Sequence, residues 1–111
     1  MPLLKEEDIS LDPGREWHSK PIRLNPGDRL VISATGNGRF YAGLFDRVTY
    51  HRLVGAAGGA FAFEFGSDRR GFTDTVRADE DEDYYLVYRV GAFTPRTVTI
   101  HSRVELQRGV D

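Results

Sequence analysis

The segment TVTIHSRVEL at residues 97–106 decides the fold class, because its apolar and polar side chains alternate strictly. Val98, Ile100 and Leu106 fall on one face, whereas His101 falls on the other. An alternation with a period of two is typical of a strand that buries one face and exposes the other to water. The segment therefore predicts a half-buried β-strand near the end of the chain.

The preceding segment, YYLVYRV at residues 84–90, predicts a second strand. Both of its faces are largely apolar, which favours a position in the middle of a sheet. Residues 91–96, GAFTPR, separate the two strands and contain glycine and proline, which break regular structure. We expect the last third of the chain to form one long β-hairpin.

A turn signal and a third strand precede these segments. Residues 25–28, NPGD, suit a tight turn, because proline presets φ and glycine accepts a positive φ. Residues 29–34 follow as a core strand. A Gly-Asn-Gly group at residues 36–38 is expected to close a hairpin onto a further strand at residues 39–46.

Weaker patterns predict further short strands. They lie at Trp17 with residues 22–24, and at residues 48–54, 60–65 and 72–77. Pro21 interrupts the first of these, which favours an edge position because proline cannot donate to a ladder. Residues 55–59, GAAGG, are expected to form a mobile turn. No segment shows convincing helical amphipathicity.

Seven or eight short strands separated by turns predict an all-β fold, an antiparallel β-sandwich or jelly roll. The 111 residues suit one domain with a single core. We expect one domain over residues 1–111, with residues 1–12 and 108–111 the most prone to fray.

Composition and charge exclude several classes of function. A net charge of −2 gives no large positive field, so nucleic acid is a poor candidate partner. The chain has no cysteine, which excludes disulfides and thiolate metal sites. The first residues lack a signal peptide and no run has membrane-spanning length. We expect a cytoplasmic protein, or a secreted one if the sequence has been trimmed of a signal.

Aromatic side chains are the first candidates for a binding surface. They cannot all face inward, and exposed rings can stack on sugars or anchor a protein contact. The candidate binding residues are Trp17, Tyr41, Tyr50, Tyr85 and Phe93. Arginine is also abundant, and it is enriched in protein interfaces because it forms bidentate pairs and stacks on rings; a biased genomic composition is the alternative explanation.

The acidic run DEDED at residues 79–83 is the most unusual local feature. Carboxylates on a loop could hold calcium, and Asp79, Asp81 and Asp83 are the candidate ligands. The run lacks the glycine and distal glutamate of an EF-hand loop. A solvated turn that discourages strand aggregation is the simpler interpretation, so we expect no cofactor.

No motif in the sequence predicts an enzyme. His18, His51 and His101 are dispersed, without the spacing of a metal site. A pairing of Asp46 with His51 is conceivable as an acid and base. No nucleophile elbow, phosphate loop or dinucleotide-binding motif is present.

Three segments, GDRLVI at 27–32, FYAGLFD at 40–46 and DYYLVY at 83–88, occur in an order that resembles the bacterial pre-peptidase C-terminal domain. The order is equally similar to the GOLD domain of trafficking proteins. Asp83 stands where the first family usually has glycine, and the paired aspartates expected before Tyr41 are absent. The resemblance spans about residues 16–106 and implies a non-catalytic binding sandwich, with no functional residue that can be carried over.

We therefore expect a non-catalytic module that binds a protein partner or self-associates. The contact region is expected on the sheet face that bears aromatic and arginine side chains, or at the loops of residues 36–38 and 55–59. The alternative is a carbohydrate-binding module, assisted by calcium at the acidic run. A small hydrolase or isomerase is the third class, although no nucleophile with an adjacent base can be named.

Overall fold

The computed structural model describes residues 3–55 and 69–109, and in these ranges the fold is all-β and antiparallel apart from one short helix. The described strands are β1 Leu3–Leu11, β2 Glu16–His18, β3 Ile22–Leu24, β4 Arg29–Asp46, β5 Arg69–Arg77, β6 Glu82–Arg89 and β7 Val98–Gln107. The helix α1 spans Arg47–Gly55. The expected strand at residues 60–65, and all but the first residue of the expected turn at 55–59, lie outside the described residues.

The long strand β4 belongs to two half-sheets. Residues 29–36 of β4 pair with β7, and residues 29–35 pair with β5 on the opposite edge. Together with β1 beside β7, these strands form the first half-sheet. Residues 41–46 of β4 pair with β6, which also pairs with β2 and β3, and these strands form the second half-sheet.

The two half-sheets face each other across one hydrophobic core, as the sheets of a β-sandwich do. The fully buried apolar side chains of this core are Leu24, Leu30, Ile32, Phe40, Leu86, Tyr88, Val90, Val98 and Ile100. One buried hydrogen bond joins the half-sheets, because the hydroxyl groups of Tyr88 on β6 and Ser102 on β7 lie 2.7 Å apart. The alternation along residues 97–106 is confirmed, since Val98, Ile100 and Leu106 are buried and His101 is exposed.

The expected hairpin at residues 36–38 is wrong, because β4 bends there without reversing its direction. Neither Gly36 nor Gly38 has the positive φ that a two-residue hairpin turn requires. The glycines instead permit close packing. A Cβ on Gly36 would lie 2.9 Å from the Gly38 carbonyl oxygen, and a Cβ on Gly38 would lie 3.0 Å from a methyl group of Val98.

The expected hairpin between residues 84–90 and 98–106 is also wrong. Both segments are strands, but β6 pairs with β4, β2 and β3, whereas β7 pairs with β1 and β4. The strand β4 is long enough to pair with β7 along its first half and with β6 along its second. The connection at residues 90–97 therefore crosses from one half-sheet to the other.

The expected strand at residues 48–54 is a third error, because this segment lies within α1. The side chain of Asp46 begins the helix, since its Oδ1 accepts a hydrogen bond of 2.8 Å from the backbone N–H of Thr49. Leu53 is buried in a small cluster with Phe45 and Val87. The helical conformation thus allows Asp46 to cap the first turn and Leu53 to be buried.

The edge position predicted from Pro21 is confirmed. The strands β2 and β3 flank this residue and both pair with β6. Between these strands, Ser19 supplies the hydrogen bonds to β6 that the ladder lacks. Its N–H donates to the Leu86 carbonyl at 2.8 Å, and its hydroxyl accepts from the Leu86 N–H at 2.9 Å.

The predicted turn at residues 25–28 is confirmed and holds the C-terminal end of the described chain. Gly27 has a φ of 89°, and the Asp28 N–H donates to the Asn25 carbonyl at 2.9 Å. The buried Asp28 carboxylate accepts hydrogen bonds from the backbone N–H groups of Asn25 and Gly109 and from Arg108, each at 2.8 Å. The Asn25 and Gly109 bonds, followed by Arg108, lower the pKa of Asp28 below its ordinary value.

Candidate functional site

A groove lies between the bend of β4 and the connection from β6 to β7. It has a volume of about 750 Å³, within the range of ligand-binding clefts. Its lining residues are Asn37, Gly38, Arg39, Tyr41, Arg89, Gly91, Ala92, Phe93, Thr94, Pro95, Arg96 and Val98. The loop at residues 36–38, one of the two expected contact loops, therefore forms one wall.

Local hydrogen bonds and close packing build the two walls of the groove. On the β4 side, the Asn37 Oδ1 accepts from the backbone N–H of Thr99 at 3.0 Å, which ties the bend to the start of β7. On the other side, the Thr94 N–H donates to the Gly91 carbonyl at 3.1 Å and closes a turn. Gly91 lies close to the Tyr41 ring, since a Cβ there would be 3.8 Å from Cε2.

Two of the five candidate aromatic residues line this groove. Tyr41 is half-buried, and its ring packs against the cluster that contains Leu53. Phe93 lies in the turn that starts at Gly91, and its relative exposure is 102%, which makes it the most exposed large apolar residue among those described. A complete phenyl ring in water is an apolar contact available to a partner.

The charged side chains among the described lining residues are all positive. Arg39, Arg89 and Arg96 line the groove, and none of the described lining residues is acidic. Arg89 is paired, because its Nε lies 3.9 Å from a carboxylate oxygen of Glu16. Arg39 and Arg96 are exposed and form no ion pair with any residue in the described ranges. The groove thus combines one free ring with two guanidinium groups.

Tyr50 of α1 and Tyr85 of β6 form a separate aromatic pair between the helix and the sheet. Their ring centroids lie 3.9 Å apart and their planes differ by only 4°. The Tyr50 hydroxyl lies 2.8 Å from His18 Nδ1, and His18 Nε2 lies 3.3 Å from Glu16. Burial, followed by the proximity of Tyr85 and Glu16, raises the pKa of Tyr50. The stacked rings pack α1 against β6.

Trp17, the fifth candidate, packs against the core. Its ring stacks on Tyr88 with centroids 5.6 Å apart. It also lines a second cavity of about 270 Å³ beside Leu86 and Val104. This cavity lies between β1 and the β2–β3 edge, away from the groove.

The acidic run covers the loop before β6 and the first two residues of that strand, at the opposite end from the groove. Asp83 accepts a hydrogen bond of 3.2 Å from Arg23, and the same arginine lies 4.0 Å from Asp81. Asp79 is exposed. Within residues 3–55 and 69–109, no group of three or more histidine, aspartate or glutamate side chains is arranged to hold a metal ion.

The histidines occupy different places in the fold. His101 on the outer face of β7 lies 2.8 Å from Asp8 and 3.2 Å from Glu6. The hydrogen bond to Asp8, ahead of that to Glu6, raises the pKa of His101. His51 lies on α1 beside the Tyr50 and Tyr85 rings.

No protein-family model matches this chain, and no curated protein sequence is similar to it at a significant level. The likeness to the pre-peptidase C-terminal and GOLD domains stays a prediction. No helix in the described part of the chain is long and apolar enough to cross a membrane.

Sequence reasoning named the two aromatic residues of the groove but did not single out its arginines. Arg39 and Arg96 are two among thirteen arginines in the chain, and the alternation of β4 gives no reason to prefer them. The signal that could have found them is their position beside Gly38 and Pro95, because glycine allows β4 to bend and proline ends regular structure in the connection before β7.

Proposed function

We propose that this domain is a non-catalytic protein-binding module, whose groove takes an acidic segment of a partner protein that also carries an apolar side chain. The exposed Phe93 ring beside Arg39 and Arg96 is the observation that supports this function. Arginine and aromatic residues are enriched where proteins bind one another.

The charged contacts and the apolar contact of the groove recognise different features of the partner segment. The guanidinium groups of Arg39 and Arg96 attract carboxylates and form bidentate hydrogen bonds with them. The Phe93 ring supplies apolar area, and covering half of it contributes about 0.75–1.5 kcal/mol. Charge accordingly selects an acidic segment, whereas the ring favours one that also bears an apolar residue.

The direct test is the affinity of a synthetic peptide for the wild-type domain and its variants. A suitable probe is a fluorescently labelled peptide of Asp and Glu residues around one central Phe, and its binding is followed by fluorescence polarisation. Neutralising two exposed charge pairs removes about 0.4–2 kcal/mol, so the Arg39→Gln/Arg96→Gln variant should bind about 2- to 30-fold more weakly.

The matched control neutralises two other arginines. Arg29 and Arg103 are exposed on the outer face of the first half-sheet and do not line the groove. The Arg29→Gln/Arg103→Gln variant has the same net charge as the groove variant and should retain wild-type affinity. Equal weakening of both variants would mean that only overall charge attracts the peptide, and would overturn the proposal.

A second variant tests the apolar contact. Phe93→Ala should weaken peptide binding about three- to tenfold, because the variant loses the roughly 0.75–1.5 kcal/mol that covering half of the ring contributes. Val48→Ala, at another exposed apolar residue, is the control and should leave binding unchanged. Since the Phe93 ring is fully exposed, its removal should not lower the melting temperature.

The same assay includes a neutral oligosaccharide as a competitor. Sugars stack on aromatic rings without requiring positive charge. Direct binding of the oligosaccharide, with no binding of the acidic peptide, would replace the proposed function with carbohydrate binding.

A further inference from the structure

The two ends of β6 carry opposite charges. The loop before the strand contains Asp79, Glu80 and Asp81, which we call the acidic loop, and the groove follows the strand at its other end. The strand spans Glu82–Arg89, so these two features are separated by about 23 Å along its axis at ~3.3 Å per residue.

The charges at both ends are available to a partner. All three side chains of the acidic loop belong to exposed residues, and within the described ranges only Asp81 has an ion-pair partner, Arg23 at 4.0 Å. At the other end, Arg39 and Arg96 are also exposed, and neither forms an ion pair with a residue of the same described ranges. Because the two sets lie at opposite ends of one rigid strand, they cannot neutralise each other within a single molecule.

We propose that the acidic loop of a second copy of this chain occupies the groove. This inference rests on the proposed function and names the partner, since the acidic loop has the charge that the groove selects. Tyr84 follows the acidic run on β6 and packs against the edge of the core, and the part of its ring that stays exposed supplies the apolar contribution. The carboxyl groups of Asp46 and Glu82 near this tyrosine extend the acidic surface.

The contact joins unlike patches on the two copies. A copy whose acidic loop is bound still has an empty groove. A copy whose groove is occupied still has a free acidic loop, so further copies can add at both ends. Association should therefore increase with protein concentration. It should also weaken with salt, because the Debye length falls from about 30 Å at ~0.01 M to about 3 Å at ~1 M ionic strength.

Two neutralised variants test this arrangement by light scattering. Arg39→Gln/Arg96→Gln removes the charge of the groove, and Asp79→Asn/Glu80→Gln/Asp81→Asn removes that of the acidic loop. The wild-type protein should rise above the monomer mass of 12.5 kDa at low salt as its concentration increases. Each variant alone should remain at the monomer mass.

Mixing the two variants gives the decisive result. The groove variant keeps an intact acidic loop, and the loop variant keeps an intact groove, so the mixture should form a 1:1 complex that neither protein forms alone. The Arg29→Gln/Arg103→Gln control should associate like the wild type. A mixture that stays monomeric, or single variants that associate like the wild type, would overturn the inference.

Peptide binding by the loop variant separates this inference from the proposed function. This variant keeps its groove and is expected to be monomeric, so it should bind the acidic probe peptide with wild-type affinity. Peptide binding with a wild-type protein that stays monomeric at all concentrations would refute self-association and leave the proposed function standing. Absence of peptide binding would refute the proposed function itself.

Discussion

Replacing Tyr88 by phenylalanine should destabilise the fold by about 1–3 kcal/mol, because it leaves the buried hydroxyl of Ser102 without its partner. The two hydroxyl groups lie 2.7 Å apart, and the two residues are 0% and 1% exposed. Burial raises the pKa of Tyr88 to about 12, so the phenol stays protonated at neutral pH. Ser102→Ala should cost a similar amount, since it leaves the phenol unpaired.

The double variant Tyr88→Phe/Ser102→Ala should cost less than the sum of the two single changes. It removes both polar groups, so neither is left buried without a partner. We expect a coupling energy of about 1 kcal/mol or more between the two positions. Urea unfolding at neutral pH, followed by far-ultraviolet circular dichroism, gives the free energies of unfolding of the wild type and the three variants.

The cycle tests how the half-sheets are arranged. Tyr88 lies on β6 and Ser102 on β7, and these strands do not pair with each other. Additive changes, within about 0.3 kcal/mol, would show that the two hydroxyl groups do not interact and would refute the facing of the two half-sheets at this point.

Three further predictions concern local electrostatics and the helix. Because hydrogen bonds lower the pKa of Asp28, its stabilising effect is fully present above the ordinary value of 3.8 and is lost as the pH falls through the lowered value. Melting temperatures below pH 4 should therefore fall more steeply for the wild type than for Asp28→Asn. Asp8 raises the pKa of His101. The stabilisation that protonated His101 contributes is therefore fully present below pH 6.5 and is lost as the pH rises through the raised pKa. The melting temperature of the wild type should decline relative to that of His101→Gln above this pH, and equal profiles would contradict the ion pair. Asp46→Ala should destabilise the protein by about 0.5–2 kcal/mol in urea unfolding, whereas Asp46→Asn, which can still cap the helix, should cost much less.

The fold class could be predicted from the sequence because it depends on local periodicity. The alternation over residues 97–106 and the apolar run at 84–90 both correspond to strands, and the NPGD turn forms where proline and glycine place it. The pairing of the strands could not be predicted in this way. Proximity in sequence favoured hairpins, whereas β4 is long enough to take β6 and β7 as separate partners.

The helix was missed for a related reason. Val48, Thr49 and Val54 are β-branched and suggested a strand, but Asp46 offered a capping side chain at the correct spacing from Thr49. Tertiary burial of Leu53 then overrode the weak local preference.

The candidate site was predicted only in part. Exposed aromatic residues were expected, and Phe93 is fully exposed, but Trp17 and Tyr85 pack inward because β2 and β6 place them against neighbouring rings. The groove depends on a bend and a crossing connection that bring Arg39 and Arg96 to one surface. Such a juxtaposition of distant segments follows from topology and is not visible in local sequence.

Nuclear magnetic resonance mapping of the acidic probe peptide tests the central claim most directly. Uniformly ¹⁵N-labelled Asp79→Asn/Glu80→Gln/Asp81→Asn protein, which is expected to be monomeric, is titrated with the peptide while amide chemical shifts are followed. We predict that the largest shift changes fall at residues 37–41 and 89–98. Changes concentrated instead beside the second cavity at Trp17 and Ile22, or no saturable changes at all, would contradict the assignment of the groove as the binding site.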